Sequence, residues 1–173
     1  MHGGRVVVVD QPGASAGLEA DASVTATPGC ALVVRTADCG PLVLRGERAV
    51  GVVHVGWRGL AAGVVGNAVR ALADLDAGRL TAHLGPCIRP GCYEFSGPER
   101  AALAERFGPG VLAATTWGTP ALDLPAAIAA ALVEAGVTYL QDEAPCTACD
   151  TRWFSHRARA ESGRFATVAW IPS

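Results

Sequence analysis

Four short valine-rich runs crowd the first 54 residues: RVVVVD (5–10), ALVVR (31–35), PLVL (41–44) and AVGVVH (49–54). Each is bounded by Gly, Pro or Asp, and β-branched side chains suit a pleated, half-buried surface, so all four read as buried strands. The stretch that follows, 59–75, changes period. Leu60, Val64, Val65, Ala68, Val69 and Leu72 recur at helical spacing straight after the turn HVGWRG, which puts His54 at a strand-to-helix junction.

The remaining segments continue the mixture. A strand is expected at 80–84 (LTAHL), then a Gly/Pro-rich loop, GPCIRPGCYEF, and a helix at 98–107. A further helix has clear punctuation: Asp123 as N-cap, Pro125 in the first turn, Leu124, Ile128, Leu132 and Val133 on one face, and Gly136 as the stop. Strands at 137–141 and 164–171 enclose a polar loop containing CTACDTRWFSHR. No internal repeat or low-complexity linker divides the chain, so one α+β domain over residues 1–173 is expected.

Composition removes several function classes. Half of the 173 residues are apolar, enough for a real core, while the net charge of -2 leaves no basic field for a nucleic-acid backbone. All 14 cationic residues are Arg; without Lys, Schiff-base chemistry and a P-loop lysine are excluded. No apolar run approaches the ~18 residues of a membrane span. The start, MHGGRVVVVDQP, lacks a charged segment ahead of a signal core, so a cytoplasmic protein without a membrane partner is expected. The six cysteines are then read as reduced thiols or metal ligands rather than disulfides.

Cys39 and His54 both fall at or just past the end of a valine-rich strand, so their side chains can meet at one sheet edge. A thiolate and an imidazole there suit zinc, with His2 as a candidate third ligand and the fourth position left to water. The competing reading is a buried free thiol beside a satisfied histidine. Arg58 lies at a helix start, where an anion is favoured. Asp38 either orients a ligand or caps a turn, and Trp57 reads as core packing. Cys146 and Cys149 form a C-x-x-C, and with Cys87 and Cys92 they suggest a second, structural zinc site, although the 87–92 spacing is loose for a zinc ribbon.

The segments TADCGPLVL (36–44), VVHVGWRGLAAGVV (52–65), HLGPCIRPGCYEF (83–95) and CTACDTRWFSHRARAESGRFATVAWI (146–171), in this order and with ADASVTATPG (20–29), resemble the YfiH family. It is also called the laccase-domain or multicopper polyphenol oxidase family. The resemblance covers essentially the whole chain. It implies a layered α/β/β/α sandwich with mixed sheets, similar also to CNF-type toxin deamidases, and one zinc ion held by His2, Cys39 and His54. It further implies phosphorolysis of adenosine, inosine and guanosine to the base and ribose 1-phosphate, with adenosine deamination as a side activity. Cys39, His54 and Arg58 would then carry catalysis, Arg58 holding the phosphate. Relatives carry a segment ahead of the His2 motif, so the chain reads as N-terminally short. Ser155 and Arg157 match a family motif in which His156 replaces an aromatic residue.

Other activities stay open at this level. Copper at the same ligands would support polyphenol oxidation, but a full multicopper oxidase needs more histidines than the four present. Amide cleavage in peptidoglycan precursors, an inactive metal-binding remnant, and metal-free nucleophilic catalysis by Cys39 are further alternatives. The last requires a depressed thiol pKa.

Overall fold

The computed structural model describes residues 3–76, 78–142 and 144–173. In chain order, β1 (Val6–Val8), β2 (Ala22–Thr25), β3 (Leu32–Thr36), β4 (Gly40–Arg45) and β5 (Val50–Val55) precede helices α1 (Trp57–Ala61) and α2 (Val64–Leu75). Then come β6 (Thr81–Leu84), α3 (Pro98–Phe107), β7 (Leu112–Ala114), β8 (Pro120–Leu122), α4 (Leu124–Glu134), β9 (Leu140–Gln141), α5 (His156–Arg159) and β10 (Phe165–Ala169). None of the described helices is long and apolar enough to cross a membrane.

A six-stranded mixed sheet in the order β1-β2-β5-β4-β6-β9 forms the centre. β1–β2 and β6–β9 pair in parallel and the inner pairs are antiparallel. β3 and β10 make an antiparallel ribbon, and β7 and β8 a small hairpin. Mixed sheets with covering helices agree with the expected α+β class.

Strand alternation decides what each face of the sheet touches. Val53 and Val55 of β5 join the main core with Val65, Ala68 and Leu72 of α2 and with Ile128 and Leu132 of α4. Val52 faces the other way, packing with Leu32 and Val34 of the ribbon. His54, two residues on from Val52, therefore also belongs to the ribbon side.

Several expected elements shift. The helix expected at 59–75 is divided, because Gly63 stands at φ +74 between α1 and α2, a conformation that a side chain would disfavour. Arg106 donates to the carbonyls of Leu60 and Ala61, satisfying the end of α1. The runs at 5–10 and 164–171 keep only inner residues as strand, and the run at 137–141 keeps only its last two. Asp123 caps α4 as expected, its side chain accepting the Ala126 N–H.

Asp76, just past α2, fastens the β4–β5 turn. Its carboxylate accepts the N–H of Arg48 at 2.5 Å and of Gly78 at 3.2 Å. These bonds, that from Arg48 foremost, hold the carboxyl below the usual carboxylate range. A depressed folded-state pKa stabilises fully above the unfolded value of about 3.9 and fades as pH falls through the lower folded value. Asp76→Asn should thus melt lower than wild type at neutral pH, and the gap should close on acidification from about pH 5 to about pH 2. Thermal melts across that range check it, and a constant gap would contradict the role assigned to the charge.

Candidate active site

The β4–β5 register brings the sequence-predicted pair together. Pro41 lies opposite His54, and directly opposed residues of an antiparallel pair share a face. Cys39, two residues before Pro41, continues that face, so Cys39 and His54 are diagonal neighbours on the ribbon side of the sheet end. The close approach behind them requires Gly40: a Cβ there would lie 2.7 Å from Cδ1 of Ile128. His54 N–H donates to the Asp21 carbonyl, and the Asp21 carboxylate accepts the Gly3 N–H at 2.9 Å. His2, the expected third ligand, lies outside the described residues.

Asp38 organises the surroundings. It is buried, and it holds φ +85, a strained conformation for a residue with a side chain. Three bonds of 2.7 Å over-determine it: Oδ1 accepts from Thr147 Oγ1 and Ser155 Oγ, and Oδ2 accepts from the Arg157 N–H. Asp38 therefore ties the end of β3 to the start of α5, where Ser155 is itself the N-cap.

Asp38, Cys39 and His54 line an open cleft of about 990 Å³ with Thr36, Trp57, Arg58, Tyr93 and His156. Arg35, Arg157 and Arg164 line it too, so four guanidinium groups face one cavity. Arg58 lies over the Trp57 ring at 4.4 Å, and Arg157 over Tyr93 at 5.2 Å. Arg157 also donates to the Glu94 carbonyl, while Arg164 is held by the carbonyls of Glu161, Ser162 and Gly163. Thr36 Oγ1 is buried without a hydrogen-bond partner among the described residues. Among these residues, only Arg58 was singled out in the sequence as an anion ligand. Arg35, Arg164 and Tyr93 carried no local signal beyond membership of quoted motifs or strands.

The surroundings of Cys39 bear on its chemistry. Burial, assisted by the Asp38 charge, pushes the Cys39 thiol up to about 11, against a smaller opposing effect of Arg164. A metal-free nucleophile needs the opposite shift. Sulfur and imidazole donors on one face instead fit a borderline-soft cation. Burial also pushes Tyr93 up to about 12, so its phenol stays a hydrogen-bond donor at neutral pH.

A family model described as multi-copper polyphenol oxidoreductase laccase matches residues 1–172. The chain belongs to this family. Among relatives of this laccase-family chain, a purine nucleoside phosphorylase of Streptomyces griseus is 44% identical over 177 residues, covering 99% of this chain and 72% of the relative. One from Mycobacterium tuberculosis is 40% identical over 178 residues, covering 99% and 70%. In three dimensions the chain is similar to YlmD from Geobacillus stearothermophilus, with a TM-score of 0.85 and 28% identity over 99% of this chain and 71% of that one. Neisseria meningitidis protein NMB0706 gives 0.84 and 29%, covering 100% and 73%.

Within this laccase-family fold, replacing Asp38 strands buried donors. Each costs about 1–3 kcal/mol when left without a partner. Asp38→Ala should therefore lower unfolding free energy by roughly 3 kcal/mol or more, measured by denaturant titration; a loss below about 1 kcal/mol would contradict its role as a tether.

Proposed function

We propose that the chain is a zinc-dependent purine nucleoside phosphorylase acting on adenosine, inosine and guanosine, with adenosine deamination as a side activity. The observation that carries this reading is the cleft in which Arg35, Arg58, Arg157 and Arg164 surround the Cys39–His54 pair. The names of the relatives support it.

Phosphorolysis joins a phosphate oxygen to C1′ of the ribose as the C1′–N9 bond breaks, and the base leaves with the bonding electron pair and gains a proton. Guanidinium groups suit the phosphate, because their fixed donor forks match its oxygens. Held beside the sugar, the dianion offsets positive charge that develops at C1′. Arg58 and Arg157 are held by their stacking on Trp57 and Tyr93, so both are positioned before substrate arrives. The Tyr93 phenol, on a residue that lines the cleft, offers a polar contact for a sugar or phosphate oxygen. Cys39, His54 and His2 would hold zinc, which supplies Lewis-acid stabilisation of developing negative charge.

Copper at the same residues is a second reading. One sulfur and one nitrogen donor also suit copper, and the family description names polyphenol oxidation.

Inosine with phosphate should give hypoxanthine and ribose 1-phosphate, followed by chromatography. Cys39→Ala and His54→Ala should abolish turnover. A hydrogen bond to a charged group contributes about 1.5–3 kcal/mol, so Arg58→Ala should raise the KM for phosphate about 10–100-fold with little change for inosine. Base release that is independent of phosphate would overturn the assignment.

A further inference from the structure

Away from the cleft, three thiols converge. Cys92 ends a short 3-10 turn, and Cys146 and Cys149 flank a tight turn closed by the Asp150 N–H on the Cys146 carbonyl. Their sulfurs all lie within 4.8 Å of one another, with Cys92 and Cys149 3.1 Å apart. Zinc–sulfur bonds of about 2.3 Å in a tetrahedron place sulfurs about 3.8 Å apart. The Cys92–Cys149 separation is shorter than that value, and all three sulfurs are close enough to share one ion. Cys87, the fourth cysteine suggested by sequence, is outside this group; it pairs with Cys146 through the backbone, and its buried thiol is pushed up to about 12 by desolvation.

The turn also has the hydrogen bonding of a thiolate ligand loop. The Arg89 N–H donates to Cys146 Sγ at 3.4 Å, and the N–H groups of Ala148 and Cys149 turn toward the same sulfur. Backbone donors aimed at the first sulfur of a C-x-x-C stabilise metal-bound thiolates. The Arg89 guanidinium, on the residue whose N–H meets Cys146, is ion-paired with Asp142 and donates to the Ala144 carbonyl, which fixes this backbone beside the thiols.

We propose that Cys92, Cys146 and Cys149 form a structural zinc site, distinct from the Cys39–His54 pair, with solvent at the fourth position. On binding, zinc takes up three sulfur ligands and the thiols release their protons to solvent; no electron is transferred. The ion would clip two walls of the cleft together. Tyr93 follows Cys92 directly and lines the cleft, and Thr147 follows Cys146 directly and bonds Asp38. Of the four cysteines that the sequence offered, the fold keeps Cys92 and leaves out Cys87.

The test counts metal per 173-residue chain purified under reducing conditions, using zinc and then cobalt as a thiolate-sensitive spectroscopic probe. Cys39→Ala should retain one zinc, with a sulfur-to-cobalt charge-transfer band of three-thiolate intensity. Cys149→Ser, at an exposed thiol, and Cys92→Ser should each lose that band and the associated zinc. Chelation should lower the melting temperature of Cys39→Ala but not of the Cys39→Ala/Cys149→Ser double variant. Zinc content unchanged by Cys149→Ser and Cys92→Ser would overturn the proposal. So would a Cys92–Cys149 disulfide found by mass spectrometry in protein that takes up no zinc after reduction. If Cys39→Ala leaves zinc content unchanged while Cys149→Ser removes it, the reading of the cleft fails and this one stands.

Discussion

One buried carboxylate joins the two halves of the cleft. Asp38 sits where β3 has ended and β4 has not begun, and it faces a loop more than 100 residues later in the chain. Its three acceptor bonds go to two hydroxyls and one backbone amide, none of which carries a formal charge. The left-handed backbone that this demands costs about 1–3 kcal/mol and persists because the bonds over-determine it. Without this knot, Arg157 would lose its anchor beside Tyr93, and Cys39 would lose the fixed backbone that sets its direction.

The cleft built around that knot separates charge in an unusual way. Its acidic member is consumed by structural hydrogen bonds, whereas four arginines line the cavity, two of them also anchored to backbone carbonyls. Burial pushes the Cys39 thiol up, so in the proposed reading a bound cation would have to displace its proton. On that same reading, anion binding and metal binding are complementary demands on one cavity: zinc would take the sulfur and imidazole donors at the sheet end, and phosphate the arginines that line the same cleft.

How much of this was legible in the sequence follows from the range of each interaction. The valine-rich strands announce themselves because β-branching is a local property, and Cys39 and His54 could be paired since both mark strand ends. β2 could not be read the same way: ASVT mixes polarity, and its burial comes from pairing with β1 and β5. The break at Gly63 was hidden because the apolar period runs through it. The β7–β8 hairpin and α5 are short, and tertiary contacts rather than periodicity define them. Arg157 and Arg164 reach the cleft only through long-range closure, so no spacing rule links them to Cys39. The thiol cluster was legible as a set of four cysteines, of which the fold brings Cys92, Cys146 and Cys149 together and leaves Cys87 out.

The most direct measurement is anomalous diffraction at the zinc edge from crystals of the zinc-loaded chain. The account predicts a peak between Cys39 Sγ and the His54 ring on the ribbon side of the sheet end, bordering the arginine-lined cleft. A fully zinc-loaded crystal with no peak at that position would contradict it.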